Sequence, residues 1–210
     1  AIVVADQPFA LTGALGLQLM SGGVTVQSLG TLRNQGKISW GTAAVRGPGL
    51  MVNEAGAQVQ LLASTGPSIG VDLELNNSGL ISFGSTLSFS DATLNNLPGG
   101  TIALNENGWM TTSGSIHGTV VNQGTVRKSG RLEIDVSEVL TRYDQNAGGV
   151  TRIEGGFLYL RGGGVWGPGG GAFEVSNAGT GYCELRVAGG RFTVSAPGHV
   201  IRGPAAGPAQ

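Results

Sequence analysis

The chain has 210 residues, with 12 basic and 13 acidic side chains, a formal net charge of −1, glycine at 39 positions and 40% hydrophobic residues. That length suits one domain with a continuous core. The evenly spread charge lacks the clustered basic footprint of a nucleic-acid binder, and the glycines keep no three-residue period, which excludes a collagen-like chain.

Residues 1–20, "AIVVADQPFALTGALGLQLM", are apolar and read as an N-terminal cap or a strand that pairs with a neighbour. Ala1 in place of methionine reads as a processed chain or one cut from something larger. Short strand-like runs with apolar residues at every second position follow: Val24, Val26 and Leu29; Ile38 and Trp40; Val59 and Leu61; Ile81 and Phe83; Ile102 and Leu104. Between such runs lies a recurring corner, in which an apolar residue is followed by Asn and then Gly. It appears as "LRNQGKISW" from Leu32, "MVNEAGAQVQLL" from Met51, "LNNSGLISF" from Leu75 and "LNNLPGGTIAL" from Leu94. Further copies are "VVNQGTVRK" from Val120, "YDQNAGGVTRI" from Tyr143 and a weaker "VSNAGTGYCEL" from Val175.

The corner positions are therefore Asn34 and Gly36, Asn53 and Gly56, Asn77 and Gly79, Asn96 and Gly99, Asn122 and Gly124, and Asn146 and Gly148. They recur roughly once per 20 to 30 residues, the length of one solenoid coil. Gly and Asn tolerate positive φ at a sharp corner, and an Asn side chain can satisfy backbone groups that a turn exposes. Stacked on successive coils, such Asn residues can bond one another in a ladder. The segment that comes nearest to a helix is "DVSEVLTRY" from Asp135, with Val136, Val139 and Leu140 on one side. Residues 21–202 then form a single all-β domain, a parallel β-helix of about seven to nine coils, and 203–210 are a Pro/Gly/Ala-rich tail. The alternative is a β-sandwich, but its hairpins favour adjacent Asn-Gly and its turn signals recur every ~8 to 12 residues.

The stretches "VVNQGTVRKSGRLEI" and "YDQNAGGVTRIEGGFLYLRGGGVWGPG" resemble the degenerate repeats of large bacterial surface β-solenoids, namely autotransporter passenger domains and filamentous-haemagglutinin-like adhesins. Asn122 to Val126, Gly155 to Leu160 and Gly162 to Gly169 carry that likeness. The resemblance implies a right-handed parallel β-helix, an extracellular or cell-surface location, and adhesion or scaffolding.

Parallel β-helices also host carbohydrate-active enzymes, whose chemistry needs two carboxylates facing a groove. Asp72 with Glu74 and Glu133 with Asp135 stand two residues apart, which on a strand places both on one face. Trp40, Trp109 and Trp166 are candidates for stacking on a glycan, and equally for filling the core. His117 and His199 lack metal-site spacing, so they read as surface residues; Arg127, Lys128 and Arg131 read as solvated strand and turn positions. Cys183 has no partner cysteine and reads as a small buried side chain. No nucleophile elbow, P-loop or dinucleotide fingerprint occurs, so no catalytic residue, metal or cofactor is expected. No apolar run reaches the ~20 residues that span a bilayer, so no membrane insertion is expected.

The expected function is a non-enzymatic extracellular structural or adhesive module that assembles into fibres by coil stacking. Its partners would be further copies of itself or a host or cell-surface glycan or protein. The alternative is a carbohydrate-active (lyase or glycosidase-like) or carbohydrate-binding module of the same fold.

Overall fold

A four-residue strand turns only two side chains to one face, so a core built from such strands needs paired neighbours above and below. The computed structural model meets that need by winding the chain into three parallel sheets of nine strands each, with no helix among the described residues. It describes residues 2–4, 8–12, 16–27, 30–62, 67–70, 72–105, 107–112, 118–130, 135–176, 183–195 and 200–203.

Each coil contributes one strand to each sheet, here called A, B and C in chain order. The first coil is Ile2–Val4, Pro8–Leu11 and Leu17–Leu19; the ninth is Cys183–Val187, Phe192–Val194 and Val200–Arg202. Every strand pairs with the third strand before it and the third after it, which leaves each sheet in strict sequence order. All pairings are parallel, whereas the hairpins of a β-sandwich would be antiparallel. At ~4.8 Å per strand the stack is about 40 Å high. The apolar segment of residues 1–20 supplies the three strands of the first coil.

Register keeps like above like. In sheet B, Leu32, Met51, Leu75, Leu94, Val120 and Tyr143 form one buried column. In sheet C, Ile38, Val59, Ile81, Ile102 and Val126 form a second, and Trp40, Leu61, Phe83 and Leu104 a third. Each fully buried aliphatic or aromatic side chain contributes on the order of 1.5–3 kcal/mol.

Two sequence expectations change here. The segment from Asp135 is not a helix: it holds the strands Val136–Val139 and Arg142–Gln145, both paired within the stack. Its alternation is hidden because one inward residue, Ser137, is polar. Lys128 is not solvated, since it follows Leu104 in the third sheet C column and is fully buried, with Nζ donating to Ser129 O at 2.9 Å. Asp135 is buried close by; a side chain at Gly130 would meet both Asp135 Oδ2 and Lys128 Nζ within about 3 Å. Arg127 is exposed, and Arg131 and Leu29 lie outside the described residues.

From the second coil to the seventh, the corners between sheets B and C take two lengths that alternate. The long form is a four-residue turn closed by Ala57 N donating to Glu54 O, Gly100 N to Leu97 O and Gly149 N to Asn146 O. Its third residue is Gly56, Gly99 or Gly148, at φ of 80°, 87° and 78°, as a type II turn requires. The short form holds Gly36, Gly79 or Gly124, none at positive φ. There the demand is space: a Cβ on Gly79 would stand 2.4 Å from both Ala57 O and Glu54 O, and one on Gly124 would stand 2.4 Å from Gly100 O. Short corners nest on the carbonyls of long ones. Gly79→Ala should therefore destabilise the fold by about 2–3 kcal/mol through overpacking. Gly56→Asn, with nothing near its Cβ and a residue that tolerates positive φ, should lose less than about 1 kcal/mol. Urea unfolding of the two variants checks the order.

Candidate functional site

The Asn residue of each corner ends a sheet B strand and points inward. Asn34 Nδ2 donates to Asn53 Oδ1 at 2.8 Å, Asn53 to Asn77 at 2.7 Å, Asn77 to Asn96 at 2.8 Å and Asn96 to Asn122 at 2.8 Å. Each Nδ2 also donates to a sheet C backbone carbonyl of the next coil, from Gln58 O for Asn34 to Val150 O for Asn122, at 3.0–3.3 Å. All five side chains are fully buried. An unpaired amide there would carry the full desolvation penalty, so each rung needs the next.

The ladder ends on Gln145, not Asn146. Asn122 Nδ2 donates to Gln145 Oε1 at 2.9 Å, and Gln145 Nε2 donates to Gly149 O and Ala172 O. Thr151 Oγ1 donates to the same Oε1, and Tyr143 Oη lies 2.6 Å from Thr151 Oγ1. Burial pushes the Tyr143 phenol well above its ordinary pKa, opposed by the Thr151 hydrogen bond, so it stays neutral. Asn146 begins the long turn that contains Gly148 and is only half-buried. A sequence signal for Gln145 existed: every ladder residue stands two positions after an inward apolar residue, and Tyr143 selects Gln145. Trp166 takes the next register position and Leu11 the one below Asn34. Asn177 lies outside the described residues.

The three tryptophans do not share an outer face. Trp40 is fully buried, with Nε1 donating to Ala43 O at 2.7 Å. Trp166 is buried edge-on against Phe173 at 4.7 Å, its Nε1 bonded to Gly170 O. Trp40 stands two residues after the inward Ile38, and Trp166 stacks in register on the inward Gln145. Trp109 alone of the three is exposed, at 38%, and its Nε1 donates to Val136 O at 3.1 Å, where it braces two adjacent coils. Phe157 and Tyr159 do face outward on sheet A, but guanidinium groups lie over them, Arg161 at 5.2 Å and Arg186 at 5.3 Å from the Tyr159 centroid. Cys183 is partly buried; burial and the Glu154 carboxylate push its thiol pKa up, which makes it a poor nucleophile.

Of the two carboxylate pairs, only Asp72 and Glu74 lie wholly within the described residues. Asp135 is turned inward, and Glu133 lies outside the described residues, as do His117 and His199. Asp72 precedes the strand Glu74–Asn77, at φ 58°, so the two do not share a strand face. Asp91 stands one coil above at φ 54°, and Asp72 N donates to Asp91 O at 2.8 Å. Asp72, Glu74 and Asp91, with Thr93 and Thr119, line a cleft of about 360 Å³ at the corner between sheets A and B. Asp91 is the member that strand-spacing arguments missed, since its neighbour Asp72 lies in another coil. Glu74 Oε1 accepts from Asn95 Nδ2 at 2.9 Å. Such a cleft can orient hydroxyl groups. Among the described residues no group of three or more His, Cys, Asp or Glu is placed to hold a metal ion, and no helix is long and apolar enough to cross a membrane.

Comparisons with protein-family models, with curated proteins and with solved structures found no match to this chain.

Asn77→Ala should destabilise the protein by about 3 kcal/mol, because it orphans the Asn53 donor and the Asn96 and Thr101 acceptors inside the core. Asn95→Ala, which removes outer-face bonds to Glu74 and Asn76, should stay within about 0.5 kcal/mol. Paired denaturation curves measure both.

Proposed function

We propose that the chain is a non-enzymatic structural or adhesive solenoid module of an extracellular or cell-surface protein. Its partners are further copies of itself, or a host or cell-surface glycan or protein. The observation that carries this reading is the unbroken sheet register from coil to coil, reinforced inside by the amide ladder. Continuous backbone pairing along one axis gives a stiff shaft with little segment left open to proteolysis. The location rests on the resemblance to bacterial surface solenoids noted in the sequence.

The outermost coils support assembly by stacking. Val187, Val194 and Ile201 are 51%, 58% and 72% exposed, while their register partners one coil inward, Leu160, Trp166 and Phe173, are buried. Phe9 is likewise exposed at 48%, one coil below a buried Leu32. These inward-facing apolar groups match the column positions that a further coil would cover. A further coil can come from a second copy, which gives a head-to-tail, non-closing contact and hence a fibre.

The second reading, a carbohydrate-active module, is favoured by the Asp72, Glu74 and Asp91 cleft.

Electron microscopy across a concentration series tests the assembly. The expected outcome is fibres whose axial repeat matches the stack height of about 40 Å. Discrete short rods at every concentration would remove self-stacking from the proposal.

A further inference from the structure

A second cleft lies on the same edge of the solenoid as the acidic one, three coils further along. It measures about 430 Å³, within the range of small-ligand sites, and is lined by Leu140, Arg142, Gly162, Gly164, Val165 and Arg191, with Thr193 at its rim. Its shape follows from packing. In the eighth coil Arg161, Gly162 and Gly163 join sheet A to the sheet B strand that Gly164 opens; Arg161 is drawn to Glu138 of sheet A at 3.0 Å, and at the three glycines any side chain would collide with backbone. A Cβ would stand 2.0 Å from Thr141 O, 2.6 Å from Arg191 O and 1.8 Å from Tyr143 O respectively. Beyond Arg161 the turn therefore carries no side chains, while the coils on either side carry Arg142 and Arg191. Those two residues stand two strand steps apart, about 9–10 Å, across a floor of bare backbone.

The charge of this notch is incompletely neutralised. Arg142 Nε is held by both Asp144 oxygens at 2.9 Å, which fixes the guanidinium and leaves its Nη protons without a protein partner among the described residues. Arg191 makes no ion pair among the described residues. Guanidinium groups recognise planar two-oxygen anions in a bidentate manner. The walls favour a saccharide over an acidic peptide. The inter-coil backbone groups are engaged, with Tyr143 N on Gly163 O and Gly164 N on Arg191 O, and the notch runs across the strands, so an extended peptide finds no edge to join. Arginine forks, the Thr193 hydroxyl and the apolar Leu140 and Val165 fit a ring that carries a carboxylate, hydroxyls and a C–H face.

We propose that this notch binds a carboxylate-bearing saccharide, a uronate unit of an acidic glycan, with Arg191 and Arg142 as the anion-binding residues. This deepens the adhesive reading and rests on it.

The test is calorimetric titration of the full chain with a uronic-acid tetrasaccharide, its carboxyl-reduced neutral form, a sulfated oligosaccharide and a poly-glutamate peptide. The expected result is saturable binding of the uronate oligomer that weakens as salt rises. Loss of one charge-assisted contact should weaken it about tenfold in Arg191→Ala, and further in the double variant with Arg142→Ala. Arg161→Ala, outside the cleft, should bind normally, and circular dichroism of each variant verifies the strand content. No uronate binding, equal binding of the neutral form, preference for the sulfated sugar or the peptide, or binding unchanged by Arg191→Ala with an intact fold would each overturn the site. Product analysis of the same mixtures separates this proposal from the reading it rests on. Cleavage of a bound oligomer would contradict the non-enzymatic reading while leaving the notch intact as a binding site.

Discussion

A side-chain amide buried in a narrow core must find partners for two donors and an acceptor, and in this protein the partners are supplied by the adjacent coils. From Asn34 to Asn122 each side chain donates upward twice, once to the next side chain and once to a sheet C carbonyl. The bonds all run the same way, so each polarises the next and strengthens it, by about 10–30%. The consequence is positional: no coil can slip by one residue without turning an amide to solvent and leaving its neighbours unsatisfied. Hydrophobic columns fill the interior, but they tolerate exchange of one apolar residue for another. The ladder does not, and it sets the register of the six coils it runs through.

The corners answer to the same constraint. Holding the Asn at the end of each sheet B strand brings the following turn onto the turn beneath it. Two identical turns would set like bulk against like bulk, and from the second coil to the seventh the alternation of long and short corners avoids that. Gly79 lies against the Glu54 and Ala57 carbonyls of the long turn below, and Gly100 in turn meets Asn77 O. Thus the abundance of glycine has two separate causes, backbone conformation at Gly56, Gly99 and Gly148, and close approach at Gly79 and Gly124.

Much of this was legible in the chain. Columns such as Ile38, Val59, Ile81 and Ile102 announce themselves by period-two spacing, and the recurring Asn announces both corner and coil length. What escaped has physical reasons. Ser137 and Lys128 face inward in strands whose neighbours are apolar, and hydropathy alone assigns a polar residue to the surface. Gln145 was passed over for Asn146 because the motif was read by residue type instead of by distance from the inward Tyr143. Neither cleft could be seen from spacing along one strand. Asp72 and Asp91, like Arg142 and Arg191, are brought together by stacking, and the sequence separation between them is set by coil lengths that vary.

The same geometry underlies the proposed role. A solenoid whose interior is keyed by the ladder presents its outer corners at fixed heights, so groups from successive coils form clefts along one edge, acidic at Asp72 and Asp91 and basic at Arg142 and Arg191. The measurement that tests the ladder most directly is hydrogen exchange of assigned asparagine side-chain amides by nuclear magnetic resonance. The account predicts that the side-chain protons of Asn53, Asn77 and Asn96 exchange as slowly as the backbone amides of the strands around them, while those of Asn95 exchange fast. Rapid exchange at all of these side chains, with the strand backbone still protected, would contradict it.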